Sequence, residues 1–164
     1  MSKDVEIKGL KELNKKLAGM DQRATNLYPP LNAIGYLIAR SVRKNIHAQG
    51  RPPWNKPSRR VKATGGKTLI KHTHLYKSIK HRVIANVAIV GTDVIYAPVH
   101  HYGPRGGVIK AKNVPYLCFP IPWENKFVKV KEVKIPKRPF MKIQKIDIKK
   151  SVKIFDDYIV RART

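Results

Sequence analysis

Apolar residues recur at spacings of three and four through the first third of the chain. Leu10, Leu13, Leu17 and Met20 form one such stripe, which predicts a short amphipathic helix over about residues 8–20 with Lys11, Lys15 and Lys16 outward. Leu31, Ile34, Ile38, Val42 and Ile46 form a second, longer stripe and predict the main core helix. The run Tyr28-Pro29-Pro30 bars helix before it, and Pro30 suits the first helical turn. Gly50 can supply a left-handed cap at its end.

Periodicity lapses from Arg51 to Thr68, where three prolines, two glycines and six basic residues predict a long exposed loop. Trp54 is its one large aromatic residue, suited either to pin the loop to the body or to anchor a subunit contact. A brief helix or turn follows at Leu75 to Ile79, and the alternation of Val83, Ala85, Val87 and Ile89 predicts a strand. Gly91-Thr92-Asp93 should turn the chain into a second antiparallel strand from Val94 to His101, and Gly103 to Gly107 reads as another loop. Tyr116 to Ile121 and Phe127 to Ile135 predict a hairpin arm over 116–135, across a turn at Trp123-Glu124-Asn125-Lys126. The apolar phase of the second arm strand breaks at Glu132, which predicts a bulge, and Pro136 and Pro139 put the end of that strand at an edge. Ile148, Val152, Phe155 and Ile159 predict a C-terminal helix that can begin as early as Pro139. The order of elements indicates one α+β domain over 1–164: an antiparallel β-sheet packed against a long N-terminal helix and a C-terminal helix, with long extended loops.

Charge changes this picture more than composition does. The chain has 35 Lys and Arg against 10 Asp and Glu, a formal charge of +25, which points to an acidic counterpart such as nucleic acid, an anionic membrane or an acidic protein. The lysines are spread along the chain, as on a folded basic surface. No stretch reaches the roughly 20 apolar residues of a membrane span, and Asp4 and Glu6 stand where a signal peptide would be apolar, so a cytosolic origin and no membrane partner are expected. The single cysteine, Cys118, excludes an internal disulfide, and its neighbours Leu117 and Phe119 suggest a small core residue.

Candidate chemistry is sparse. The acidic residues lie mostly in or beside the first and last helices, where they would cap or solvate, and no pair stands out as general acid and base. His72 with His74, and His100 with His101, have a metal-binding residue type but no Cys, Asp or Glu beside them. No catalytic residue, metal or cofactor is therefore assigned. Lys110, Lys112, Tyr116 and Phe119 could alternate phosphate contacts with stacking surfaces, although Phe119 sits in an apolar strand.

Four phrases stand in a fixed order: Gly50-Arg51-Pro52-Pro53-Trp54; Leu75-Tyr76-Lys77-Ser78-Ile79 behind Ile70-Lys71-His72-Thr73-His74; Val90-Gly91-Thr92 leading to Tyr96-Ala97 and His100-His101-Tyr102-Gly103; and Ile135-Pro136-Lys137-Arg138-Pro139-Phe140. Their order and spacing resemble the virion morphogenesis, or tail completion, family of tailed phages across roughly the central half of the chain. The departures are Thr73-His74 for the family's Thr-Gly and His100-His101-Tyr102-Gly103 for its His-Gln-x-Gly. The resemblance implies a non-enzymatic structural protein of the virion tail or neck, present in host cytoplasm during assembly. It would complete the tail or join it to the head as a ring, possibly hexameric, contacting connector and tail-tube proteins.

Such a ring needs a head-to-tail interface, which the loop or the hairpin arm could extend. Trp54, Tyr102, Arg138 and Phe140 are the candidate anchors of these contacts or of the loops that make them, with core packing as the plain alternative for Phe140. Arg51, Arg59, Arg60, Lys62, Arg105, Lys110 and Lys112 are candidate contacts to genome DNA in the lumen or to an acidic partner. The alternative function is sequence-independent nucleic-acid binding.

Overall fold

The computed structural model describes residues 9–54, 58–121 and 124–160. Asp4, Glu6 and Trp123, and the side chain of Arg59, lie outside the described residues. In chain order the elements are α1 (Leu10–Thr25), α2 (Tyr28–His47), α3 (Arg59–Thr64), α4 (His74–Ser78), β1 (Lys80–Ile84), β2 (Val87–Gly91), α5 (Ala97–Tyr102), β3 (Ile109–Lys110), β4 (Leu117–Ile121), β5 (Lys126–Val130), β6 (Glu132–Val133) and α6 (Lys145–Ile159). The α+β class holds, but the expected sheet is three separate two-stranded antiparallel pieces: β1 with β2, β3 with β6, and β4 with β5.

The 20-residue helix α2 is the frame. It starts at Tyr28, two residues before the expected Pro30, because a proline in the first turn gives up no hydrogen bond that the helix would make. Its stripe delivers Ala39, Val42 and Ile46 to a core completed by Leu75, Ile79, Val94, Ala97 and Phe140. The hairpin β1–β2 lies on one side of α2 so closely that a Cβ on the buried Gly35 would stand 2.7 Å from the His81 ring. Helix α6 packs on α2 as well, whereas α1 touches mainly α6 and buries none of its residues.

Three expected elements come out differently. The predicted strand through Val83–Ile89 is folded in two, with Ile84 opposite Val87 and a two-residue turn in which Ala85 and Asn86 have φ of 45° and 60°. That is the backbone of a primed hairpin turn. The half-buried face therefore carries His81, Val83, Ala88 and Val90, while Val87 and Ile89 point outward. The predicted strand Val94–His101 is instead a turn followed by α5, because Pro98 has no N–H for a ladder and fits the first turn of a helix. The predicted bulge at Glu132 is a change of partner: β5 pairs with β4 and β6 with β3, and the Lys131 carbonyl between them accepts from the Ala111 N–H at 3.3 Å.

Smaller corrections follow the same logic. Helix α6 begins at Lys145 rather than near Pro139, since Gln144 forms its N-cap with extended backbone and the residues before it run unwound. Cys118 is exposed on the two-stranded arm and is not a core residue. The segment Arg51–Thr68 contains α3 and closes on itself. The Gln49 side chain accepts from the Thr68 N–H at 2.6 Å and donates to the Thr68 carbonyl at 3.1 Å, and Thr68 Oγ1 accepts from the Ser58 N–H at 3.2 Å.

The end of α2 depends on Gly50. Its φ is 102°, and a Cβ there would stand 2.6 Å from both the Pro52 carbonyl oxygen and Trp54 Cδ1. Gly50→Ala should therefore cost more than the roughly 1–3 kcal/mol of a left-handed non-glycine residue. Gly65→Ala, at φ 72° with open space around it, should lose only that strain. Urea denaturation of both variants checks this, and equal losses would show that the Trp54 approach contributes nothing.

Candidate interaction surfaces and the joints beneath them

The four sequence phrases meet in space. The Gly50–Trp54 phrase follows α2, and the Arg51 guanidinium turns inward: Nε donates to Asn45 Oδ1 at 2.6 Å, and Nη2 donates to the Ser41 carbonyl at 3.0 Å and to Ser41 Oγ at 2.7 Å. The Ser41 hydroxyl donates to Asp147 Oδ2 at 2.6 Å, and the same oxygen accepts from the Gln144 N–H at 2.9 Å. Asn45 Nδ2 donates to the carbonyls of Phe140 at 2.9 Å and Lys142 at 2.8 Å, and the Gln144 amide donates to the Arg51 carbonyl at 2.9 Å. Ser41, Asn45 and Asp147 are all buried. This polar knot ties α2, the start of the loop, the 140–144 segment and α6 together.

The other phrases form two further joints. Ser78 Oγ donates to the Leu75 carbonyl at 2.9 Å, which leaves the Thr92 hydroxyl to donate to Ser78 Oγ at 2.6 Å; Thr92 Oγ1 also accepts from the Val94 N–H at 3.2 Å. The Arg138 N–H donates to the His100 carbonyl at 2.8 Å, and the Met141 N–H donates to His101 Nδ1 at 3.3 Å. The His101 ring meets the Phe140 ring edge-on, with centroids 5.1 Å apart. His101 thus makes a structural hydrogen bond. Burial lowers the pKa of both His100 and His101 below the ordinary imidazole value, and for His100 the charge of Arg138 lowers it further.

The candidate anchors therefore separate. Phe140 and Arg138 are buried inside the monomer, Trp54 is half-buried against the core, and Tyr102 at the end of α5 is 70% exposed. Of the candidate basic contacts, Lys62 on α3, Arg105 in the loop after α5, Lys110 on β3 and Lys112 beyond it are exposed. Arg60 is half-buried and donates to the Lys67 carbonyl at 2.8 Å, and Arg51 belongs to the knot. Among the described residues no three His, Cys, Asp or Glu side chains gather as metal ligands, and no helix is long and apolar enough to cross a membrane.

Two open grooves flank α2, and α6 forms a wall of each. The first, about 930 Å³, carries Arg40, Arg43, Lys44 and His47 from α2 with Lys150 from α6, beside Tyr36 and Tyr76. The sequence reading missed this cationic set, although Tyr36, Arg40, Lys44 and His47 recur at helical spacing on the side of α2 away from its apolar stripe. The second groove, about 550 Å³, is apolar and runs between α2, β2 and α6, with Leu31, Ile34, Ile38, Val90, Ile148 and Val152 among its walls.

The phage virion morphogenesis family model matches residues 7–159. The chain belongs to that family. It is 28% identical over 116 residues to the Mu-like prophage FluMu G protein 2 of Haemophilus influenzae Rd, a stretch covering 71% of this chain and 81% of that protein. No solved structure matches the chain. The four phrases thus contribute hydrogen bonds that tie the Gly50–Trp54 stretch to α2 and the other three to one another.

Asp147→Ala would strip the acceptor from Ser41 Oγ and from the Gln144 N–H, and should cost roughly 1.5–3 kcal/mol. Lys62→Ala, on the exposed face of α3, should stay within about 0.5 kcal/mol, and denaturant titration of the two variants makes the comparison. The histidines set a pH dependence. Their folded pKa values are depressed, so the unfolded chain binds protons more readily; stability is fully present above about pH 6.5 and falls as the pH drops below it. The thermal midpoint should decrease from pH 7.5 to 5.5, and less steeply in His100→Gln and His101→Gln. A midpoint that rises on acidification would contradict the assignment.

Proposed function

We propose that this protein is a structural, non-enzymatic component of a phage or prophage virion that completes the tail or joins it to the head as an oligomeric ring. The observation that carries the reading is the family match across nearly the whole chain. Its place would be the tail or neck of the particle, reached from the host cytoplasm during assembly. Two features support a ring: the apolar groove and the exposed apolar side of α1 are different patches on one copy, the arrangement that head-to-tail association requires.

A ring of such copies faces strong self-repulsion, because each carries +25. The reading therefore includes an acidic counterpart, either a neighbouring connector or tail-tube protein or genome DNA in the lumen. The cationic groove of Arg40, Lys44 and Lys150, together with the exposed Lys62, Arg105, Lys110 and Lys112, offers the surface for it.

A second reading, sequence-independent nucleic-acid binding without assembly, is favoured by that same groove, where tyrosines stand beside cations. Electron microscopy of particles made with and without the gene separates the two. Full heads beside unjoined or aberrant tails are expected when the gene is absent. Normal infectious particles, combined with tight nucleic-acid binding by the purified protein that weakens steeply with salt, would favour the second reading.

A further inference from the structure

Helix α1 spans 16 residues and buries none of them. An isolated helix of that length is marginal in water, and helices in proteins owe most of their stability to a covered apolar face. Yet Leu10, Leu13 and Leu17 are 48%, 52% and 52% exposed along one stripe. The apolar groove between α2, β2 and α6 has the complementary deficiency: Ile148 and Val152 on its α6 wall are 56% and 63% exposed.

The chain does not satisfy either surface with the other. Only Asn26 and Leu27 separate α1 from α2, and the end of α1 is fixed against the end of α6, where Arg23 Nε donates to the Ile159 carbonyl at 3.0 Å and the Tyr158 hydroxyl donates to the Asn26 carbonyl at 2.8 Å. Held there, α1 leaves its leucines and the groove open at once. We infer that the leucine stripe of α1 docks into the apolar groove of a neighbouring copy and so forms the subunit contact of the ring proposed above, on which this inference rests.

A second copy fits better than an unrelated occupant. Another protein in the groove would leave α1 uncovered, whereas head-to-tail pairing of identical chains covers a ridge and a groove on every copy. The helix is about 24 Å long, and its leucine stripe spans about two turns of it. Its exposed Glu12 and Asp21 can meet the exposed Lys149 and Lys153 beside Ile148 and Val152. Lys11, Lys15 and Lys16 oppose that attraction, so the apolar contact has to carry the interface.

Leu13→Cys combined with Val152→Cys in a Cys118→Ser background tests the contact in assembled particles, by mild oxidation and non-reducing electrophoresis. The expected result is a ladder of covalent multiples that neither single cysteine variant gives. A cross-link confined to one chain means that α1 folds onto its own groove and overturns the inference. So does the absence of a disulfide ladder in particles where a lysine-reactive cross-linker still joins copies; that outcome leaves a ring built on another surface. Particles that contain the protein but give no ladder with either reagent would remove the ring reading itself. As a second variant, Leu10→Ser with Leu13→Ser and Leu17→Ser should keep the monomer's circular-dichroism melt while its incorporation into particles is lost. Unchanged incorporation overturns the inference.

Discussion

The fold depends on satisfying polar groups that α2 carries into the interior. Asn45 is fully buried and Ser41 nearly so, and an unpaired amide or hydroxyl at such depth would cost as much as a sizeable apolar contact stabilises. The chain brings partners from three directions: Arg51 from the loop, the Phe140 and Lys142 carbonyls from the unwound segment, and Asp147 from α6. Hydrogen bonds are directional where apolar contacts are not. The knot therefore sets the register in which Phe140 enters the core and α6 lies on α2, a choice that the leucines and valines alone would leave loose.

The long helices α1, α2 and α6 were legible because their stripes repeat at three and four and because prolines and glycine mark the ends of α2, whereas the short α3 and α5 were not. The β regions were legible only as apolar runs. In the β1–β2 hairpin an alternation extends across the turn, so Val83 and Val87 seem to share a face that the backbone divides between them. Asn86 was the one residue pointing to a primed turn, and Ala85 concealed it, since alanine rarely accepts positive φ. The four phrases located the parts that matter, but their chemistry misled. Arg51 reads in the sequence as one more cation on a basic surface, yet its charge is spent inside. Asp147 reads as a solvated helix residue, although its position three after Gln144 is that of a capping partner.

The two grooves divide the helix pair between two kinds of interaction. One side of α2 and α6 offers cations and tyrosines, the other only hydrocarbon and a serine. Acidic side chains are few and several are already engaged, Asp147 in the knot and Glu124 with Lys126 at 3.0 Å. A surface so short of carboxylates cannot compensate its own cations. In the ring proposed above, contacts between copies would rest mainly on the apolar side, and contacts to unlike partners would neutralise the charge.

The arm of β4 and β5 belongs to a different energetic regime from the helices. Its strands are paired chiefly with each other, and Phe127 at its tip is 72% exposed. A two-stranded ribbon is only marginally stable without a third strand or a helix over it. Opening the helical part breaks the polar knot, whereas opening the ribbon breaks the β4–β5 ladder and exposes Ile121, the one fully buried residue of β4. Beyond Ile121, the ribbon's exposed residues can bend or fray in response to whatever they meet without breaking the hydrogen bonds that join α2 to α6.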